Sequence, residues 1–429
     1  MRFESLDAWL KWQEGLHPAE IELGLDRIQS VYQNFTSPNL DSVIITVAGT
    51  NGKGSCVHLL EQIYLAAGYK VGSYTSPHLY HYNERIKING DAVSDEMLCD
   101  AFEKVDQART SDSTDPISLT YFEFGTLAAL SVFRQQPLDV VILEVGMGGR
   151  LDAVNILDAD IALISSIDLD HQQWLGETRE QIAFEKAGIM RESIPVVYAD
   201  NDCPQAVLTQ AKNLKSQLFR YNIEFTFEDQ KTMAVWHWQS DAGQVRNIPW
   251  LTIQGEQIYK NASAVLQVVA LAQTKLPVSH QAIRLGMHAF RLPGRLEIVP
   301  AEANSATQVF DVAHNAQSIA NLASWLAQNP AQGRTHAVFG MMSDRLLMLD
   351  LSQIAAQIDE WHISQAENAR AASAELVKPM ILQVTNAPVV AYSSLCEAYN
   401  SALLLAQPND RVVIFGSFYT VAETRPESL

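Results

Sequence analysis

Seven residues from Gly49 to Ser55, GTNGKGS, bring together three glycines, one amine and a hydroxyl. Glycines let a backbone turn tightly and aim several N–H groups at one point, the arrangement that holds a phosphate. Lys53 supplies a cation for the same group. Ahead of the loop, the apolar β-branched run VIITVA predicts a strand buried on both faces. Behind it, Val57, Leu60, Ile63 and Ala67 recur at helical spacing, and Gly68 is placed to stop the helix. A strand, a glycine loop and a helix N-terminus in that order make an anion site. The generic phosphate-loop pattern is not met, because Val47 stands where its first glycine would fall and Gly54 separates Lys53 from Ser55. A plain glycine turn is the competing reading.

Other residues have types suited to the same chemistry. Glu144 closes the apolar run DVVILE, where an acid serves either the magnesium ion of a nucleotide or a helix end. Ser76, in TSPHL, either coordinates a metal or starts a turn before Pro77. His171, in DLDH, is a lone histidine, and imidazole is an unusual partner for magnesium. Lys186, in AFEKAGI, reads from spacing alone as a surface lysine beside Glu185. Asp311 and His314, in DVAHN, either contact a ligand or cap the following helix.

These residues need elements to position them. Strands are predicted at Tyr69–Ser73, Asp139–Gly146, Asp160–Ile167 and IPVVYA. Helices are predicted at Ser94–Arg109, Thr120–Gln135 and TREQIAFEKAGIM. Continuous apolar strands alternating with helices imply a parallel sheet covered on both faces. Between Tyr221 and Ile253, short alternating segments predict a small antiparallel patch, followed by helices near Tyr259–Lys275 and Ser279–Phe290. RLPGR, Arg291–Arg295, reads as a linker. After it the alternation restarts through TQVFDVAHN, THAVFGM, EWHIS, APVVAY and RVVIFGS. The expected fold is α/β, with a phosphate-loop parallel-sheet domain over 1–290 and a smaller, doubly wound C-terminal domain over 291–429. Ligands of such sheets sit at the carboxyl ends of the strands. GTNGKGS, TSPHL, LEVGMGGRLDA, DLDH and DVAHN all fall there.

At 429 residues, the chain is long enough for two or three domains. Thirty basic against 49 acidic residues give a net charge of −19, which disfavours nucleic acid and anionic membranes as partners. No run approaches the roughly 18 apolar residues of a membrane helix, and MRFESLDAWLKWQEGL reads as an amphipathic helix rather than a signal peptide. Cys56, Cys99, Cys203 and Cys396 form no close pair, so neither a disulfide framework nor a zinc site is expected, and a reducing cytoplasm fits. Cys56 reads as a small buried hydrophobe.

The motifs GTNGKGS, SYTSPHL, SLTYFE, LEVGMGGRLDA, DLDH, FEKAGI, LPGR, DVAHN and the terminal GSF, in that order, resemble the ligases that make dihydrofolate and folylpolyglutamate, within the wider Mur-type amide ligases. The resemblance runs from ELGLDRI to GSFYTVAE, and ELGL with LTYFE looks most like the bacterial bifunctional enzymes. It implies ATP-dependent addition of L-glutamate to 7,8-dihydropteroate and to the tails of reduced folates, by a monomeric cytoplasmic enzyme using magnesium, two ions in all. It implies that Asn51, Gly52, Lys53, Gly54 and Ser55 bind ATP phosphates, with Asn261, Arg295 and Asp311 also on the nucleotide. Ser76 and Glu144 would hold one magnesium and His171 a second. Lys186 would be the family's carboxylated lysine, and His314 would join Lys53, Glu144, His171 and Lys186 in catalysis. Glu22, Leu23, Gly24, Leu25, Thr120, Tyr121, Phe122, Glu123, Leu151, Asp152 and Ala153 would contact the dihydropteroate. The chain departs from the family at Ala316, where proline is frequent, at Arg345, where lysine is common, and at QQW after His171.

Overall fold

The computed structural model describes residues 2–35, 40–111, 116–230, 233–251, 255–301, 305–346 and 349–426. The chain divides into two compact units, Met1–Leu251 with Ile258–Phe290, and Arg291–Leu429 with Thr252–Gln257.

The first unit is built on eight strands: β1 (Val43–Ala48), β2 (Val71–Tyr74), β3 (Ile86–Ile88), β4 (Asp91–Ala92), β5 (Val140–Glu144), β6 (Ile161–Ile164), β7 (Pro195–Tyr198) and β8 (Gln217–Arg220). Their order is β4-β3-β2-β5-β1-β6-β7-β8. β1 lies between β5 and β6 and is parallel to both. Only the β3–β4 hairpin end is antiparallel, a correction to the wholly parallel sheet expected; its strands are too short to carry an alternation. All of β5 and β6, and Ile44–Ala48 of β1, are buried. Their β-branched and leucyl side chains meet helices on both faces, each contributing on the order of 1.5–3 kcal/mol by leaving water.

The helix Lys53–Ala66 follows β1. It is crossed closely by the helix His280–Ala289, where Gly286 lies so near the Ile63 backbone that a Cβ there would stand 2.6 Å from Ile63 Cα. The helices Asp95–Thr110 and Tyr121–Phe133 are started by Ser94 and Thr120, whose hydroxyls accept the N–H of Met97 and Glu123. The antiparallel patch has three strands, β9 (Phe225–Gln230), β10 (Val235–Ser240) and β11 (Gly243–Pro249), packed around Trp236, Trp238 and Ile248. Residues 231–232 and 252–253 of the expected patch lie outside the described residues.

The second unit holds β12 (Glu297–Val299), β13 (Thr307–Asp311), β14 (Thr335–Phe339), β15 (Glu360–Ile363), β16 (Val389–Ala391) and β17 (Arg411–Phe415), in the order β12-β13-β17-β14-β15-β16. All pairs are parallel except β12–β13. Helices Ala316–Gln328, Ala374–Val384 and Leu395–Leu405 cross between strands, giving the doubly wound arrangement expected. Among the described residues, no helix is long and apolar enough to cross a membrane.

Candidate active site at the glycine loop

The loop after β1 is glycine where geometry demands it. Gly49 has φ +150°, and a Cβ there would overlap the Ser165 hydroxyl. Gly52 has φ +87°, and its Cβ would overlap the side-chain amide of Asn261. The loop is tied to the segment after β6: Thr50 N–H donates to Ser166 O at 2.7 Å, Thr50 Oγ1 to Asp168 O at 3.1 Å and Ser165 Oγ to Asn51 O at 2.7 Å. These bonds hold the turn rigid against the N-terminus of the helix Lys53–Ala66, whose first N–H groups are oriented for an anion. Ser55 is buried in that first turn.

Two amines meet at one carbonyl. Lys53 Nζ donates to Gly49 O at 2.9 Å and to Thr50 O at 3.2 Å, and Lys186 Nζ donates to the same Gly49 O at 2.8 Å. Lys186 is only 3% exposed, which corrects the surface position its spacing implied. It shares a helix face with Ile182, Ala183 and Ala187, all buried. Glu185 points elsewhere, to Arg150 Nη2 at 2.9 Å. Burial, and then the charge of Lys53, push the Lys186 amine down to about 7, while Asp170 and Asp152 pull the other way. Asp170, not singled out from the sequence, thus belongs to this group; its carboxylate also accepts the His171 N–H at 2.8 Å.

Glu144, at the end of β5, is buried and accepts the Ser76 N–H at 3.2 Å. Its carboxylate also lies against the first turn of the helix, 3.5 Å from where a Gly54 Cβ would stand. Ser76 and Glu144 are therefore brought together beside the loop, as oxygen donors of the kind magnesium takes. His171 has φ +50° and precedes the short helix Gln172–Leu175. The Cys56 thiol is fully buried, and burial with Glu144 pushes its pKa far up, so it is inert.

The expected dihydropteroate segments are linked through Arg27, which the sequence reading did not single out. Arg27 pairs with Glu22 and donates to Glu123 Oε1 at 3.2 Å. Glu123 Oε2 accepts the Thr120 N–H at 2.8 Å and its hydroxyl at 2.9 Å, completing a capping box. Leu23 and Leu25 pack partly buried on the core, and Gly24 has open space where a Cβ would stand. Phe122 lies over Gly146, where a Cβ would stand 2.6 Å from the ring. Tyr121 meets the ring of Tyr82 at 5.8 Å, with the Arg85 guanidinium over both. Asp152 is buried and accepts the N–H groups of Met147 at 2.8 Å and Val154 at 3.1 Å. Burial pushes its carboxyl up to about 6, against the pull of those bonds and of Lys53. Leu151 is half-buried and Ala153 buried beside it.

Arg295, Asp311 and His314 are in the second unit. Asp311 ends β13 and accepts the N–H groups of Leu296 at 2.9 Å and Ala313 at 2.7 Å. Burial pushes its carboxyl up to about 6, with Arg295 opposing. The Arg295 guanidinium sits 4.7 Å over the Phe418 ring. His314 Nδ1 lies 2.9 Å from Val312 O. Neither Asp311 nor His314 caps the next helix, as one reading had it; Asn315 does, through the N–H of Ser318.

A parallel-sheet unit carrying a phosphate loop, followed by a doubly wound unit, is the arrangement expected of an ATP-dependent ligase of the Mur type, and the family models match it. Residues 47–269 match the Mur ligase middle domain and residues 294–418 the Mur ligase glutamate ligase domain. The chain is 39% identical to the dihydrofolate synthase/folylpolyglutamate synthase of Haemophilus influenzae, over 97% of the chain and 96% of that protein. Among solved structures it is similar to Escherichia coli FolC in complex with DHPP and ADP, with TM-score 0.88, 38% identity and coverage of 98% of this chain and 96% of that one. It is also similar to the Yersinia pestis bifunctional enzyme complexed with AMPPNP and a Mn ion, with TM-score 0.87, 41% identity and coverage of 98% and 97%. The chain belongs to the dihydrofolate synthase/folylpolyglutamate synthase family of Mur ligases.

Proposed function

We propose that the chain joins L-glutamate to 7,8-dihydropteroate, forming dihydrofolate, and to the glutamyl tail of reduced folates, with ATP activating the acceptor carboxylate each time. The observation that carries this reading is the meeting of Lys53 and Lys186 on the Gly49 carbonyl, at a helix N-terminus and next to the Ser76–Glu144 pair. The DHPP, ADP, AMPPNP and Mn bound in the similar structures support it.

In the first step a carboxylate oxygen of the acceptor attacks the γ-phosphorus, the bond to the bridging oxygen breaks, and ADP leaves. The glutamate amine then attacks the acyl carbon, phosphate departs with the acceptor's oxygen, and one proton is released as the amide forms. Lys53, Asn51, the amides of Gly52 and Gly54, and Ser55 hold the phosphate charge so that two anions can meet. Asn261, Arg295 and Asp311 are proposed to contact the nucleotide, and His314 to take part in catalysis. Ser76, Glu144 and His171 would hold magnesium, two ions in all, which supplies charge neutralisation on the transferring phosphoryl group. The oxygens of Ser76 and Glu144 suit it better than the His171 imidazole does. The Lys186 amine, depressed to about 7, has a neutral fraction able to attack CO2; loss of a proton then leaves a carbamate. Glu22–Leu25, Thr120–Glu123 and Leu151–Ala153 form the acceptor site. Residues 1–290 are assigned to ATP and dihydropteroate, and 291–429 to glutamate and the nucleotide. The enzyme is proposed to work as a cytoplasmic monomer, a setting supported by four cysteines that form no disulfide.

Incubating the chain with ATP, glutamate and 7,8-dihydropteroate labelled with oxygen-18 in its carboxylate should give dihydrofolate by mass and labelled inorganic phosphate. Unlabelled phosphate would overturn the acyl-phosphate route. Tail extension without dihydrofolate formation would reduce the reading to a folylpolyglutamate synthase alone.

A further inference from the structure

The second sheet carries a cluster that the ligase reading does not use. Across the β14–β15 ladder, His336 is registered opposite Glu360, and Val338 opposite His362. Residues two apart on a strand share a face, so His336, Glu360 and His362 all point to one side of the sheet, toward the amino ends of these strands. Both imidazoles are fully buried, while Glu360 keeps some exposure. We propose that His336, Glu360 and His362 bind one divalent transition-metal ion, with Zn2+ the best chemical fit.

The distances favour an ion over a direct contact. His336 Nδ1 and His362 Nε2 are 3.4 Å apart, which is long for a hydrogen bond. Two nitrogens each about 2.05 Å from a tetrahedral zinc stand about 3.3 Å apart. Glu360 Oε2 is 3.9 Å from His336 Nδ1, and the three ligand atoms lie within 4.8 Å of one another. Among the described residues this is the one group of three His, Cys, Asp or Glu side chains so placed. Two imidazoles and a carboxylate suit zinc, whereas magnesium and calcium prefer oxygen alone.

The far side of the His362 ring is arranged as a ligating histidine requires. His362 Nδ1 is 3.0 Å from the Tyr392 hydroxyl, and the two ring planes lie 26° apart with centroids at 5.6 Å. His336 Nε2 is a buried nitrogen without a hydrogen-bond partner, and Asp410 Oδ2 faces it at 3.6 Å. Polarising that N–H by ligation at Nδ1 would draw the carboxylate in. One group competes: Arg334 Nη2 lies 3.2 Å from Glu360 Oε2, on a side chain more than half exposed and able to swing away.

The full-length chain, stripped with a chelator and held in excess Mg2+, should be titrated with CoCl2 and then ZnCl2. The expected result is one equivalent of Co2+ with the intense visible absorption of tetrahedral coordination, displaced by Zn2+. Glu360→Gln should weaken Co2+ binding at least tenfold, His362→Gln should remove the absorption, and Arg334→Ala should tighten binding severalfold. Glu144→Gln, at the glycine loop, should leave it intact. If circular dichroism shows His362→Gln unfolded, Glu360→Gln decides. No absorption in the wild-type chain, equal affinity in Glu360→Gln, or loss of the signal in Glu144→Gln would each overturn the proposal.

Discussion

Asp152 and Asp311 are placed alike in the two units and differ in their company. Asp311 ends a strand and Asp152 lies in the loop that follows one; each accepts two or more backbone N–H groups and has its carboxyl pushed up to about 6. Beside Asp311 the cation is Arg295, which stays charged at any working pH. Beside Asp152 are Lys53 and Lys186, and the second of these titrates near 7. The first unit therefore sets its acid beside one amine, Lys186, that changes charge near neutrality, while the second holds its acid against a fixed charge. Under the proposed function, Asp152 belongs to the acceptor site, while Asp311 combines a nucleotide contact with the locking of a backbone turn.

The sharpest way to break that contrast is to remove charge from the first unit. Lys53→Ala and Glu144→Ala should each lower kcat on the order of 100- to 1000-fold or more, with the far-UV circular dichroism unchanged. Wild-type turnover in either purified variant would dissolve the distinction.

Next, Lys186→Met should abolish most activity yet stabilise the fold at low pH, by up to a few kcal/mol. The folded amine titrates near 7 and the unfolded one near 10.4. Burying the charge is therefore fully penalised below about pH 7. Between the two values the unfolded chain binds the extra proton, and the penalty fades as pH rises. Urea unfolding at pH 6 and pH 9 should show the gain shrinking toward the higher pH.

The aspartates sharpen the comparison at smaller scale. Both have folded values above the ordinary 3.9, so the stability each contributes falls as pH rises from about 4 to about 6. Asp311→Asn should remove that slope and cost about 1–3 kcal/mol, because an amide cannot accept both the Leu296 and Ala313 N–H groups. Asp152→Asn should remove a similar slope and also shift the pH profile of kcat, which Asp311→Asn should leave in place. The smallest effects are at the caps. Thr120→Ala and Asn315→Ala should each cost about 1 kcal/mol, the former more because it also removes one of the donors to the buried Glu123 carboxylate.

Much of this was legible in the chain. VIITVA, DVVILE and IALISSI announce strands because a doubly covered sheet needs unbroken apolar runs, and they form β1, β5 and β6. The restart of alternation after RLPGR announces the second sheet. What escaped depends on partners far off in sequence. Lys186 looks exposed beside Glu185 until one sees that Ile182, Ala183 and Ala187 put it on the inner face of its helix. Arg27 lies within ELGLDRI but carries no role there by itself, and only the fold sets it between Glu22 and Glu123. Asp311 resembled a helix cap, but its acceptors are taken by a turn fifteen residues upstream and by its own loop. His336 and His362 carry no local pattern, since strand register alone makes them neighbours.

The carbonyl of Gly49, shared by two amines, also sets an order of events. If an incoming polyphosphate draws Lys53 away, Lys186 keeps that oxygen to itself and loses its nearest like charge, while a new anion arrives. All three changes favour a proton on Lys186. If Lys186 is carboxylated as proposed, carbon dioxide capture, which needs the unprotonated amine, is easiest before nucleotide loads, so bicarbonate added before ATP should give a higher initial rate than bicarbonate added after it.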